Sequence, residues 1–378
     1  MSMQKPMPFH FYGSRRVSSQ SGLSLVELLI AMALGLLLTL GVTQIYLSSS
    51  MTYRQAQGLA HAQESSRFVS AVLTPELRSA GSFGCLARMA RPLDQVVDNR
   101  LNGALIVPLT QALQGWEYTG TGLNDSITLA GTLATPGAGN WDSSTAGTNL
   151  PASLAGSVVT NSDVVIINAL TPIGVPVNAT NPQNGNSINL TGNSGVDVDR
   201  VIVATRGDCS EGELFQKSNN ANASSITMAG ANINPGNNGN TFNLSYDSQA
   251  RVYEFTTMAY YIGQGTNAEP ALFRRLMTPL QAPQELVSGV ETLQILYGVN
   301  TTGTSAADNY VTADQVANWD SVVSVRFSVM TRSPDEVLDT ENSRSFNMLG
   351  SEVAQANSGD RRARLVSVGT IALREKIQ

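Results

Sequence analysis

The residue in this sequence that most needs a chemical explanation is Glu27, four residues into a long apolar run. An ionised carboxylate near the middle of a bilayer costs at least about 2.5–3.5 kcal/mol, so an acid in such a run is by default functional and needs a cationic partner. Cutting the chain between Gly22 and Leu23 would make one, because the new α-amino group at Leu23 would stand one helical turn from Glu27. Carboxylate and amine then neutralise each other, within one chain or between neighbours. The plain alternative is an acid at the membrane boundary that snorkels to water without a role.

Other groups offer less. The only histidines are His10 and His61, and a Ser-His-Asp or Cys-His hydrolase would have to use one of them. His10 lies in the segment that the cut would remove. The two cysteines, Cys85 and Cys209, are too few for a zinc site built on thiolates. Asp197 with Asp199, and the carboxylates from Asp308 to Asp320, stand in loop-like contexts without the EF-hand spacing, so solvated turns are the simpler reading. A net charge of −6 with no dense Lys/Arg tract gives no electrostatic footprint for DNA or RNA. The expectation is a protein that is not an enzyme, takes no cofactor or metal and binds no nucleic acid.

The elements that place Glu27 are legible in the first eighty residues. Met1 to Gly22 is polar and carries Lys5, Arg15 and Arg16 but no acid. An apolar run then starts abruptly at Leu23 and continues to about Leu47. About 20 such residues in a helix cross a ~30 Å hydrocarbon core. Basic residues before the run and none immediately after it put the N-terminus in the cytoplasm and the rest outside. A secretory signal peptide fits less well, because its apolar core is normally ~7–15 residues long and ends at a small-residue cleavage site. From Thr52 the chain turns polar without a loop signal. Val69, Val72, Leu73, Leu77 and Ala80 then recur at steps of three and four, one face of a helix, with Arg67, Ser70, Glu76 and Ser79 opposite. Thr74-Pro75 predicts a kink or a restart, and Gly81 a stop. No proline falls between Leu23 and Thr74, and Gly35 and Gly41 lack the four-residue spacing of a close-packing motif.

Gly22-Leu23-Ser24-Leu25-Val26-Glu27 followed by an apolar helix resembles the type IV prepilin signature, with Leu23 where phenylalanine is usual. The resemblance implies that a membrane prepilin peptidase cuts after Gly22 and methylates the new N-terminal Leu23. It also implies that Glu27 pairs with the terminal amine of an adjacent subunit during filament assembly.

Beyond Gly81 the pattern changes to short β-like runs between Gly/Asn/Ser/Thr/Pro clusters. Leu105–Val107, Ser126–Leu129, Asp163–Ile167 and Arg200–Val203 read as strands, and 137–147 and 230–240 as loops. Alternation at Tyr253, Phe255, Thr257, Ala259 and Tyr261, and at Val323, Val325, Phe327 and Val329, predicts half-buried antiparallel strands. With Leu293–Tyr297 and Leu365–Leu373 they suggest one sheet of about four strands across the spine helix. Glu285–Val299, Val322–Pro334 and Arg361–Arg374 are similar to segments of PilW-type minor pilins, whereas the middle, from about Leu86 to Ala250, shows little likeness. The resemblance implies a cap of minor pilins that primes the filament, sits at its tip and presents a PilY-type adhesin. In an exported chain with two cysteines, a Cys85–Cys209 disulfide is expected, with two buried free thiols as the alternative.

The fold class is therefore α+β, a long N-terminal helix packed on an antiparallel head. Expected segments are a leader (1–22), a membrane or filament-core helix (23–47), an amphipathic spine (48–81) and a β-rich head (82–378). The expected location is the inner membrane with the head in the periplasm, and then the extracellular pilus. A pseudopilin of a type II secretion system is the alternative.

Overall fold

The computed structural model describes residues 22–88, 92–129, 133–144, 148–178, 185–230, 235–303, 306–355 and 359–373. The expected leader up to Ser21, His10 within it, and Arg374 lie outside the described residues. The chain divides into two compact units, Met1–Tyr53 and Arg54–Gln378.

Helix α1 is continuous over Leu25–Ser79. In the first unit its apolar side chains are exposed on every side, from Leu25 to Tyr46. It is long and apolar enough to cross a membrane. Thr39 and Thr43, the hydroxyls in this stretch, donate back to the carbonyls of Gly35 and Thr39 at 2.6 and 2.8 Å. Such bonds let a hydroxyl sit in an apolar setting without a water partner.

In the second unit the same helix buries one stripe, Gly58, Ala62, Ser65, Ser66, Val69, Leu73 and Leu77. Thr331 Oγ1 donates to the carbonyl of Ala62 at 2.9 Å. A Cβ on Gly58 would stand 2.9 Å from a Val337 methyl, so any larger residue here would force that side chain to shift. The expected restart at Thr74-Pro75 does not occur, and the helix passes through Pro75. Proline removes one backbone bond only a turn from the helix end, while Leu73 and Leu77, both 1% exposed, hold the two sides in the core. Gly81 ends the helix at φ +76°, its N–H donating to Asn168 O at 2.9 Å.

Among the described residues the head contains a short helix, α2 (Leu93–Val96), and eighteen strands. In chain order these are β1 (Val97–Asn99), β2 (Leu113–Tyr118), β3 (Ser126–Leu129), β4 (Trp141–Asp142), β5 (Val164–Pro172), β6 (Ser187–Asn189), β7 (Val201–Thr205), β8 (Gly212–Gln216) and β9 (Ser225–Thr227). There follow β10 (Arg251–Gln264), β11 (Pro270–Leu276), β12 (Gln284–Ser288), β13 (Val290–Val299), β14 (Asn309–Val311), β15 (Val322–Glu336), β16 (Phe346–Met348), β17 (Ser351–Gln355) and β18 (Arg362–Ala372). A nine-stranded sheet runs β1-β8-β7-β10-β5-β2-β4, with β11 on β10 and β12 on β11. A four-stranded antiparallel sheet runs β14-β13-β15-β18. Two smaller sheets, β16-β17-β3 and β6-β9, complete the head.

Three expectations need correction. The strand at 251–264 does not join the four-stranded sheet across the helix. It is the centre of the larger sheet, and its place in the smaller one is taken by β14. Alternation specifies a face but not a partner, so the sequence pattern had no means of choosing between sheets. Leu105–Val107 is irregular rather than a strand. Pro108 follows it without an N–H to offer a ladder, and Val107 is fully buried as a single apolar residue. The strand at 322–336 is also covered on both faces over most of its length, because Met330 packs with Ile127, Leu129, Met348 and Val353 on the side away from the main core.

The main core joins Val69, Leu73 and Leu77 of α1, and Ala80 just past its end, to Val165, Ile167, Tyr260 and Ile262 of the large sheet. Leu293, Ile295, Tyr297, Val325, Phe327, Val329 and Ile371 of the four-stranded sheet complete it. Complete burial of one such aliphatic chain contributes roughly 1.5–3 kcal/mol. Cys85, just past α1, is disulfide-bonded to Cys209 in the turn between β7 and β8, with Cα atoms 6.0 Å apart and a sequence separation of 124. Closing so long a loop stabilises by about 4–5 kcal/mol in the chain-entropy model. The full-length chain in detergent is expected to lose that amount in urea unfolding when Cys85 and Cys209 are both changed to Ser, and reduction of the natural chain should match it. Equal midpoints with and without reductant would remove the bond from the account of stability.

Candidate functional site

Ser24 immediately precedes α1, and Glu27 sits in its first turn. The Glu27 N–H donates to Ser24 Oγ at 3.3 Å, and the Ser24 N–H donates to Glu27 Oε2 at 3.1 Å. This reciprocal pair is a capping box, which satisfies two backbone donors that have no partner within the helix. It folds the carboxylate back over the helix start, where the positive end of the helix dipole favours it. Gly22 and Leu23 are exposed beside it. The acid that a membrane should reject is thereby given a polar anchor one residue from Leu23. Glu27 stands out in the sequence through its charge, whereas its partner shows only in the spacing, since Ser-x-x-Glu before an apolar run is the signature of this cap.

A second polar centre, also missed, lies at the end of the four-stranded sheet. Arg332 and Arg364 stand opposite one another across β15 and β18, a repulsive pair unless an acid intervenes. Glu291, on β13, supplies it. Its Oε1 accepts from Arg332 Nη1 at 3.1 Å and Arg364 Nη2 at 2.8 Å, and its Oε2 from Arg364 Nε at 2.6 Å. Arg364 also donates to Asp360 at 2.6 Å, and Glu269 takes Arg332 and Arg362. Arg364 is 2% exposed at its side chain and Glu291 7%. Burial pulls the Arg364 guanidinium down, but its bonds to Glu291 and Asp360 outweigh this and leave it above its ordinary value. Burial likewise pushes Asp360 up, and the bonds from Arg364 and the Arg362 N–H overcome it, holding the carboxyl below the usual range. The three segments that carry the PilW resemblance each give this cluster one or more members, which spacing along the chain conceals.

The third centre is the acid pair Glu117 and Asp163, at the seam of the two main sheets. Asp163 accepts Ile295 N–H at 2.7 Å and Tyr118 N–H at 3.3 Å, and its own N–H donates to Leu293 O at 2.8 Å. Glu117 accepts from Thr121 at 2.9 Å. Burial and the neighbouring Asp163 push Glu117 well above its ordinary range. Burial also pushes Asp163 up to about 7, against its two backbone bonds.

The remaining sequence candidates are dispersed. His61 is exposed on α1, facing a cleft with Arg54, Asp335 and Glu336. Asp308 spends its carboxylate on the turn at Thr301 and Thr302, accepting an N–H at 2.6 Å and a hydroxyl at 2.8 Å. Among the described residues no group of three or more His, Cys, Asp or Glu is placed to hold a metal.

A capped helix that is apolar on all sides and then becomes the spine of a β-rich head is the architecture of a pilin-like α+β protein. Residues 17–43 match the prokaryotic N-terminal methylation motif, and residues 259–375 match the family described as Type IV Pilus-assembly protein W, PilW. The two matches support a type IV, PilW-like minor pilin, a structural protein of pilus assembly with an N-terminal membrane anchor. Among solved structures the chain is similar to the type IV-like pilin TTHA1219 from Thermus thermophilus, at 15% identity over 32% of this chain and 67% of that one, with a TM-score of 0.20. No curated protein matches.

The cluster and the acid pair give separable expectations. Arg364→Ala leaves Glu291 buried with one partner fewer, and should lower the unfolding free energy by about 3–5 kcal/mol. Wild-type unfolding after that change would show the cluster to be incidental. The acid pair keeps protons in the folded state that the unfolded chain releases near pH ~4. Its stabilisation is therefore complete below that range and is lost as pH rises through about 7. Urea midpoints of the full-length chain should fall from pH 5 to pH 8, and Glu117→Gln should flatten that slope. Asp360, shifted the other way, acts only at lower pH.

Proposed function

We propose that this chain is the precursor of a minor pilin of a type IV pilus. It is stored in the inner membrane by residues 23–47, with 48–81 as the spine of the head and 82–378 as the head outside. Prepilin peptidase cuts between Gly22 and Leu23 and methylates Leu23, and the leader 1–22 is lost. The carboxylate of Glu27 then neutralises the terminal amine of an adjacent subunit, and α1 moves from lipid into a bundle of like helices. With other minor pilins and pilin subunits it primes the filament and forms part of a tip that presents a PilY-type adhesin. It thereby supports twitching motility and adhesion.

The observation that carries this reading is the Ser24–Glu27 cap at the head of a helix with apolar residues on every side. The methylation-motif match spans the same residues. A carboxylate so placed is bonded to the residue next to Leu23, where the new amine would form.

N-terminal sequencing and mass measurement of the chain from cells with and without prepilin peptidase test the central step. The expected mature terminus is N-methylated Leu23, present only with the peptidase. Glu27→Ala should still be cut yet stay in the membrane fraction and be absent from sheared pili. Wild-type chain that keeps its leader would overturn the reading. Deletion that abolishes enzyme secretion while pili and twitching remain would assign the chain to a type II secretion system instead.

A further inference from the structure

Residues 161–163, just before β5, tie the large sheet to the four-stranded one. Asn161 O accepts from Thr292 Oγ1 at 2.6 Å, and Ser162 Oγ accepts the Leu293 N–H at 3.1 Å. The Asp163 carboxylate holds β2 and β13 at once, through the N–H groups of Tyr118 and Ile295. Asn161 turns the chain into this position at φ +60°, a left-handed conformation that asparagine tolerates better than most residues.

The ionisable groups around that carboxylate are acids and a phenol. Glu117 reaches it from β2, Tyr297 from β13, and Asp314 from the 3-10 turn Ala313–Gln315. Among the described residues no Lys, Arg or His forms an ion pair with any of them. The carboxyl groups of Glu117 and Asp163 are bonded to each other, which requires a proton on the pair. Thr121 donates to Glu117 Oε1, whereas Oε2 is buried without a partner. The Tyr297 hydroxyl is buried and unpartnered as well. It stands over Gly115, where a Cβ would collide with it, two residues from Glu117 on the same face of β2. One phenol is therefore the spare donor available to meet a second negative charge.

Two bare carboxylates in contact inside a protein repel each other strongly, because neither water nor a cation screens them. One of the two must then reach water. Glu117 is fixed within β2, where it pairs with Asp142 of β4. Asp163 lies outside the regular ladder, one residue before β5 and two after the bend at Asn161. The short segment is thus the part that can move without dismantling a strand.

We propose that Glu117 and Asp163 form a proton-operated latch between the two sheets, closed while they share a proton and opened when it passes to solvent, as residues 161–163 swing off β13. The rest of the head stays folded, held by Cys85–Cys209 and by the Arg364 cluster, neither of which is bonded to that segment. Once opened to water the pair releases its protons near pH ~4, so each proton that the closed latch retains makes opening about tenfold easier per pH unit above that range. The gain ends where the closed pair itself ionises, and burial pushes Asp163 up to about 7. The latch is firm in acid and loosens towards neutral pH.

Hydrogen exchange of the full-length chain in detergent, read by mass spectrometry and corrected for the intrinsic pH dependence of exchange, tests the latch. Protection of the peptides that carry Tyr118 and Asp163 should fall at least about tenfold from pH 5 to pH 7, while β18 keeps its own. Glu117→Gln puts an amide donor beside Asp163 with no charge to lose, and should keep protection level across that range. Asp314→Asn removes a neighbouring negative charge, leaves the pair in place and should lessen the fall. A wild-type chain with level protection overturns the proposal. So does a fall that β18 shares equally, which would be global unfolding, or a Glu117→Gln chain with the wild-type slope. If Glu117→Gln leaves β18 unprotected the variant has not folded, and an Asp314→Asn slope equal to wild type then overturns the latch.

Discussion

The stripe Ala62, Val69, Leu73 and Leu77 on α1 is the contact on which the head depends. Both main sheets present apolar faces to it, Val165, Ile167, Tyr260 and Ile262 from one and Leu293, Val325, Phe327 and Ile371 from the other. Take the helix away and the residues of both sheets that pack on it lose that cover. The second half of α1 is thus a structural part of the head rather than a tether. This explains why the helix tolerates Pro75. Three aliphatic anchors, Val69, Leu73 and Leu77, each stabilising by roughly 1.5–3 kcal/mol, exceed the ~3 kcal/mol that an interior proline costs.

Polar groups are buried in the head where they fix which strands meet. Asp163 receives backbone donors from β2 and β13, binding the two sheets at their seam. Glu291 neutralises two arginines that the β15/β18 register would otherwise force together. A slip of one residue would bring neither arginine to that acid and would turn the apolar rows of both strands over. Apolar pairs would stabilise the sheet equally well, yet they would accept more than one register. The ion cluster is selective because it is satisfied in one arrangement only.

The helix was legible in the sequence because its two patterns are each unmistakable, apolar on every side up to Leu47 and one-sided from Val69 onward. Glu27 was legible because a charge in an apolar run has no bland context. The strands at 126–129, 163–167 and 200–203 were legible from composition and flanking turns. What the sequence concealed were partnerships. The alternation at 253–261 predicts a strand but not its sheet, and Glu291, Arg332 and Arg364 look like surface charges until three distant segments are paired. Ser24 was hidden for another reason. Its side chain reads as one polar residue in a greasy stretch, and only the three-residue spacing to Glu27 shows that its hydroxyl and backbone N–H have a joint partner.

Those partnerships bear on how a helix such as α1 can leave lipid at all. Its first half is equally apolar on every side, and lipid tails are as apolar as leucine, so moving it into a bundle of similar helices gains little hydrophobic free energy. The difference must come from groups that lipid serves badly. Within this stretch the threonines are already bonded to their own helix and Gln44 is neutral, which leaves Glu27 as the charged group between Leu23 and Leu47. The cap at Ser24 makes the carboxylate tolerable in the membrane, but it supplies neutral donors and no cation. An ammonium ion from a neighbour would neutralise the charge as well as bond it, and a charge-assisted bond in a low-dielectric setting is about twice as strong as a neutral one. On the proposed assembly, the carboxylate that the cap holds would be the group with most to gain from the exchange, and the rest of the helix need only be indifferent to it.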